Sequence, residues 1–243
     1  MRMVSFAGRN AREILRDPMN LAFGLAFPLV LMLLLSAIQA NIPVPLFDIG
    51  RLAPGITVFG LSFMALFTAT LVARDRESSF LRRLYTTPMT AKDFMLGYTL
   101  PILPMAVAQT AVCYLASLLL GLQYTPNLFL GVLCNLPAAV LYIALGLLCG
   151  SALGVKQVGG ICGALLTNVS AWLSGIWFDL ALVGGVFEKM ANALPFVHAV
   201  ELARAALAGN IAGIFPHLWW VLGYGLAALA LAATLFLRQM KNC

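Results

Sequence analysis

The chain has 243 residues, 62% hydrophobic and only 10% charged, against roughly 25% charged in soluble domains. A soluble fold of this length cannot hide so much apolar surface, so lipid must solvate much of it. The net charge of +6 does not indicate nucleic acid as a partner, because the basic residues sit in short segments between apolar runs.

Residues 2–17 read as an amphipathic helix. On a helical wheel Met3, Val4, Ala7, Ala11, Ile14 and Leu15 share one face, with Arg2, Arg9, Arg12, Glu13 and Arg16 opposite. This pattern suits a helix lying in the interface, with arginines towards anionic headgroups. Pro18 ends it and turns the chain into the first apolar run. That run is too long for a signal-peptide core and lacks a clear cleavage site, so removal is not expected.

A helix needs about 20 apolar residues to cross a hydrocarbon core roughly 30 Å thick. Six segments meet that test, at about 20–39, 53–73, 95–120, 127–154, 158–178 and 216–237. Lys156 and Gln157 mark a tight turn between the fourth and fifth. With the N-terminus inside, 12 of the 15 basic residues fall on the inner side, so the positive-inside rule places both termini in the cytoplasm. Residues 74–93 carry eight charges, and burying them would cost on the order of 20 kcal/mol. They are expected to form a cytoplasmic loop.

Residues 179–215 are neither a clean span nor a polar loop. Asp179, Gly184, Gly185, Glu188, Lys189, Pro195, Glu201, Arg204 and Gly209 interrupt their apolar stretches. Irregular backbone survives at membrane depth only where protein or water satisfies it, so a re-entrant helical hairpin on the outer side is expected. The fold class is therefore an all-α membrane protein, one domain of six transmembrane helices with an N-terminal interfacial helix and this outer hairpin.

Within the charged loop, Ser78 or Ser79 can cap a short helix running Phe80-Leu81-Arg82-Arg83-Leu84-Tyr85 and closed by Thr86-Thr87-Pro88. Its apolar patch, flanked by arginines, suits a groove on a partner, though a helix lying on the headgroups has the same pattern. The stretch Arg74-Asp-Arg-Glu-Ser-Ser-Phe-Leu-Arg-Arg-Leu-Tyr-Thr-Thr-Pro-Met resembles the cytoplasmic signature of ABC type 2 permeases. In those proteins an acidic-basic-acidic run precedes Leu-x-Arg-Leu and then Thr-Pro, ahead of the third span. Arg16-Asp17-Pro18 and Leu194-Pro195-Phe196…Glu201-Leu-Ala-Arg204 are similar to further motifs of the same family, in the same order. The family often has Gly-Thr where this chain has Ser79-Phe80.

The resemblance implies the membrane subunit of an exporter, in which a separate ATP-binding subunit contacts the interfacial helix 1–17 and the loop helix at about 78–87 within the coupling loop 74–94, and a second permease chain completes the path. It makes Glu77, Phe80, Leu81, Arg82, Arg83 and Leu84 the residues that couple ATP hydrolysis to the spans. ATP and Mg would belong to the partner. The chain contains no phosphate-binding loop and no Gly-Lys pair, so no cofactor is expected on it. Its cargo would be hydrophobic or amphiphilic compounds such as drugs or antibiotics, with a polysaccharide or lipid-linked glycan as the alternative; Phe and Trp form no evident sugar-stacking track in the sequence.

Inside the spans, Gly146, Gly150 and Gly154 form two G-x-x-x-G steps, and Gly159 and Gly163 follow across the turn. Such spacing lets helices approach closely, within the chain or at a dimer seam. Gln109, Asn135, Thr167, Asn168, Ser170 and Ser174 are polar at membrane depth, where each group needs a partner or water. Interhelical hydrogen bonds are one use; a substrate path along Thr167, Asn168, Ser170 and Ser174 is the other. Four of the five cysteines lie in apolar runs without a C-x-x-C, so they read as small buried side chains and no metal site is expected. An intramembrane serine protease would need Ser174 paired with His198 or His217, and no glycine-rich nucleophile turn surrounds that serine.

Overall fold

A computed structural model describes residues 2–44, 47–78, 80–85 and 89–241, without the side chains of residues 2, 20, 82, 85 and 241. Ser79, Thr86, Thr87, Pro88 and Cys243 lie outside the described residues, as does the side chain of Arg82. Every regular element among the described residues is helical. Helix α1 (Arg2–Arg16) is followed by α2 (Pro18–Leu21), a π-helical turn (Ala22–Ala26) and α3 (Phe27–Gln39), which run on as one rod. Next come α4 (Ile49–Glu77), the short α5 (Phe80–Tyr85), α6 (Ala91–Leu119) and α7 (Asn127–Ala152). Helix α8 (Val155–Val158) continues through a π-helical stretch (Gly159–Leu166) into α9 (Thr167–Trp172). The chain ends with α10 (Leu180–Val183), α11 (Gly185–Ala193), α12 (Pro195–Leu207) and α13 (Ile211–Lys241).

Five of these rods are long and apolar enough to cross a membrane: Ala22–Gln39, α4, α6, α7 and α13. The expected fifth segment, 158–178, takes a different form. Its helix stops at Trp172, and a turn through Gly175, at φ 67°, precedes α10. The charged segment also begins inside a helix, since Arg74, Asp75, Arg76 and Glu77 form the last turn of α4.

Local chemistry sets the helix starts. Asp17 accepts from the Met19 amide at 3.0 Å and Asp48 from the Gly50 amide at 3.1 Å. Thr90 and Asp93 form a reciprocal capping box that opens α6. Each supplies an acceptor for amides that have no partner in the first turn.

Helix α4 is the axis of the bundle: 89% of its most apolar stretch is buried, against 22% for Ala22–Gln39 and 28% for α13. Small residues bring α7 against it. A Cβ on Gly146 would stand 2.5 Å from the Ala65 carbonyl oxygen, and one on Gly150 2.7 Å from that of Ala69. This glycine ridge therefore serves packing within the chain. Gly154 lies beside Glu77, Gly163 faces Leu66, and Gly159 has open space around it. Polar side chains fasten the same helices: Gln109 donates to the Thr57 carbonyl at 3.2 Å and Asn135 to the Tyr114 hydroxyl at 3.0 Å.

Both termini lie at one end of the bundle, where Phe236 of α13 stacks on Phe94 and Tyr98 of α6 and α1 packs across the same helix. Helices α10, α11 and α12 occupy the opposite end. There the turn between α11 and α12 lies deep along its neighbours. Phe196 stacks on Tyr142, and the Tyr224 hydroxyl donates to the Ala193 carbonyl at 2.6 Å. At 1.5 Å per residue these tyrosines lie about 20 Å along α7 and α13 from the ends of those helices nearest α12.

Candidate functional site

The end carrying both termini is the most densely connected polar region. Asp75 is 2% exposed, and one of its oxygens accepts from Arg9 at 2.6 Å and from the Tyr98 hydroxyl at 2.9 Å. Arg9 also pairs with Glu13 at 2.7 Å and places its guanidinium 4.6 Å above the Phe80 ring. Burial, the largest influence on Arg9, works against its charge, yet Asp75 and Glu13 outweigh it and hold its pKa above the ordinary arginine value. Beside this pair Phe6 packs edge-on against Phe94 and Tyr98 and reaches Phe80. Asn10 is fully buried and donates to the Gly97 carbonyl at 3.0 Å.

The buried ridge of α1 is therefore Phe6, Asn10 and Ile14, three residues spaced by four. Val4 and Leu15, from the expected apolar face, remain exposed, while Arg12 and Arg16 occupy a third sector, also exposed. One helix thus has a protein face, an apolar open face and a cationic face. That division suits an interfacial position with one side docked on the bundle.

Five of the six residues singled out around the loop helix have described side chains, and they occupy different positions. Glu77 ends α4 and accepts from the Val155 amide at 2.8 Å, while its neighbour Arg76 donates to the Ser151 and Leu153 carbonyls. Those carbonyls close α7, where helical acceptors lack partners of their own, and Gln239 adds a bond to Ser151 at 2.7 Å. Leu81 is 1% exposed. Phe80 and Leu84 are half-buried and Arg83 is exposed. Helix α5 is therefore fixed to α1 and α4 through Phe80 and Leu81 and presents Arg83 outward.

The polar residues of the fifth segment divide as well. Thr167 and Asn168 line a groove of about 580 Å³ together with Phe23, Phe27, Phe59 and Trp177. Ser170 instead bonds the Tyr142 hydroxyl inside the bundle, and the Ser174 hydroxyl turns back to the Ala171 carbonyl at 3.0 Å. The groove's rings touch in sequence, from Phe23 to Phe27 and Phe63, then Phe59, then Trp177, at centroid distances of 5.6–6.1 Å. An aromatic track absent from the linear sequence is thus assembled from three separate segments.

No hydrogen bond joins Ser174 to a histidine among the described residues. His198 and His217 face each other, Nδ1 to Nδ1, at 2.9 Å, and His198 Nε2 meets the Asn192 carbonyl at 3.0 Å. The serine nucleophile and base of an intramembrane protease are not assembled.

The family model for the ABC-2 type transporter matches residues 3–208, across the loop, the glycine ridge and the outer helices. The chain belongs to the ABC-2 type transporter family. No curated protein matches it. As an ABC-2 family member the chain is a multi-pass membrane protein and a permease, the part of such a transporter that does not carry the catalytic ATPase, and its family associates with an ABC ATPase. Arg9, Phe6, Asn10 and Tyr98 are members of the terminal-end cluster that sequence reasoning passed over. Spacing by four residues was the available signal for Phe6 and Asn10; nothing local marks Tyr98 as a partner of Asp75.

Proposed function

We propose that the chain is the membrane-spanning subunit of an ATP-driven exporter that moves hydrophobic or amphiphilic, drug- or antibiotic-like compounds out across the cell membrane. The observation that carries this is the block formed by α1, α5 and the end of α4. A subunit pressing on α5 displaces Phe80 and Leu81, and through Arg9 and Asp75 it moves α4, the most buried of the spans. ATP and Mg bind on that separate subunit, which meets Arg83 and Leu84. Glu77 and Arg76 carry the motion on to α7, and Arg82 stands beside Arg83 in the docking helix.

Both termini lie in the cytoplasm, in keeping with the concentration of arginines at their end of the bundle. The helical run Val155–Trp172 serves as the sixth crossing, shortened at the outer side, and α11 and α12 form a re-entrant hairpin. The depth of the Ala193–Phe196 turn beside Tyr142 and Tyr224 supports that hairpin.

Two such chains, identical or not, enclose the path, with the aromatic groove and Asn168 on its wall. The groove is apolar apart from Thr167 and Asn168, and both already bond backbone carbonyls of their own helix. That favours amphiphilic cargo. The contiguous rings favour a second reading, a glycan exporter, because sugars stack on aromatic faces.

The test is reconstitution of the chain with its ABC ATPase in vesicles. ATP-dependent uptake of a fluorescent amphiphile into inside-out vesicles is expected, and Arg83→Glu with Leu84→Asp should abolish it while the chain still elutes as a folded species. Transport driven by a proton gradient through the chain alone would overturn the reading. ATP-dependent movement of an undecaprenyl-linked glycan, with no amphiphile uptake, would select the second cargo.

A further inference from the structure

We infer that the cleft between α1, the α1–α2 turn and the last turns of α4 is a binding site for one anionic phospholipid. The cleft measures about 620 Å³, enough for a phosphodiester headgroup and the first part of an acyl chain. Its lining is graded along its length. Phe67 and Leu71, 3% and 5% exposed, form the inner wall with Ile14. Arg74 stands roughly 10 Å further along α4, where Arg9, Arg12 and Arg16 of α1 converge. An apolar inner end and a cationic mouth match the polarity of a lipid entering from the bilayer with its phosphate at the interface.

The charges in the mouth are not balanced by the protein. Glu13 is engaged by Arg9 at 2.7 Å, and Asp17 lies 3.8 Å from Arg74 while also capping α2. Arg12 donates only to the Gly8 carbonyl at 3.3 Å, and neither it nor Arg16 forms an ion pair among the described residues. Two guanidiniums thus face the cleft without a carboxylate. A phosphodiester supplies the bidentate acceptor that such donors take best. A soluble anion would fill the mouth but leave the wall at Phe67 and Leu71 unmatched, which selects the lipid source.

The experiment is native mass spectrometry of the full chain released from detergent after exchange into equal amounts of phosphatidylglycerol and phosphatidylcholine. One phosphatidylglycerol per chain should survive release, and phosphatidylcholine should not. Each arginine beside an anionic surface is worth about 1 kcal/mol, so Arg12→Gln with Arg16→Gln should lower retention about 30-fold. Removing charge also weakens adsorption to any anionic surface, so a second variant, Thr70→Trp, narrows the cleft and keeps every charge. It should lose the lipid to a similar extent.

Three results would overturn the inference. These are equal retention of phosphatidylcholine, full retention by Thr70→Trp, or displacement of the lipid by millimolar glycerol phosphate.

Discussion

Asp75 is a buried carboxylate one turn from the end of the most buried helix, and its position decides how α1 is attached. A charge at that depth is tolerable only because Arg9 and Tyr98 both donate to it. Removing Arg9 leaves the carboxylate, among the described residues, with the tyrosine alone. Hydrogen bonds to charged groups contribute about 1.5–3 kcal/mol, and with Arg9 about a third exposed solvent screening makes the lower end apply. Arg9→Ala should therefore destabilise the chain by about 1.5–2 kcal/mol. Asp75→Asn, which keeps a partner for Tyr98, should cost less. Combined, the two changes should be less harmful than their sum, with a coupling above about 0.5 kcal/mol, read from thermal unfolding of the detergent-solubilised chain. Strict additivity would mean that the ion pair holds nothing together. The sequence could not supply this pairing. The insertion cost of each charge sets residues 74–77 apart from the apolar runs, but 66 residues separate Arg9 from Asp75. Nothing short-range announces that a protein partner, rather than water, meets the carboxylate.

Among elements, the glycines of α7 and the following π-helical stretch look alike in sequence and behave differently in space. Gly146 and Gly150 touch the backbone of α4, so a methyl group must push two helices apart, at a cost of about 1–3 kcal/mol for each alanine. Gly159 and Gly160 have no neighbour within 4 Å of an added Cβ. Alanine there should be neutral or stabilising by up to about 1 kcal/mol, since glycine is a poor helix former. Thermal melts of the four single variants in one detergent test the contrast; equal losses at all four sites would refute it. The G-x-x-x-G spacing was legible, but which steps meet another backbone was not, because Gly154 already lies past the end of α7. Five of the six expected spans were legible from length and hydropathy alone. The fifth segment was harder to read, because hydropathy is blind to a π-helical register and to the turn at Gly175. On α1 the wheel located the cationic face but left Asn10 unassigned, and only the fold brings it to its acceptor, the Gly97 carbonyl. A polar residue at the centre of a docking ridge defeats any reading that sorts faces by hydropathy.

At the scale of the whole molecule, the burial of the spans is lopsided. Helix α4 is enclosed, whereas Ala22–Gln39 and α13 keep most of their surface outside the bundle, and the two outer faces differ in chemistry. On α13 the exposed large side chains are Ile211, Phe215, Trp219, Trp220, Tyr224, Leu226, Leu231 and Leu237. These side chains are apolar or aromatic throughout, so this face is suited to lipid. The face around Ala22–Gln39 includes the aromatic groove, and there Asn168 is exposed with one amide hydrogen bonded to Ala164 at 2.8 Å. Its remaining polar capacity has no acceptor or donor in lipid, which argues for a second permease chain or a water-filled path against this side. The prediction separates the two faces. In a chain with its own cysteines replaced by alanine, Asn168→Cys should form a chain-to-chain crosslink with a short bifunctional maleimide in native membranes. Leu226→Cys, equally exposed but on the lipid-suited face, should give monomer under the same conditions. Crosslinking through position 226 and not 168 would move the dimer seam to α13. The aromatic groove would then face lipid, and the proposed substrate path along Thr167 and Asn168 would have to be abandoned.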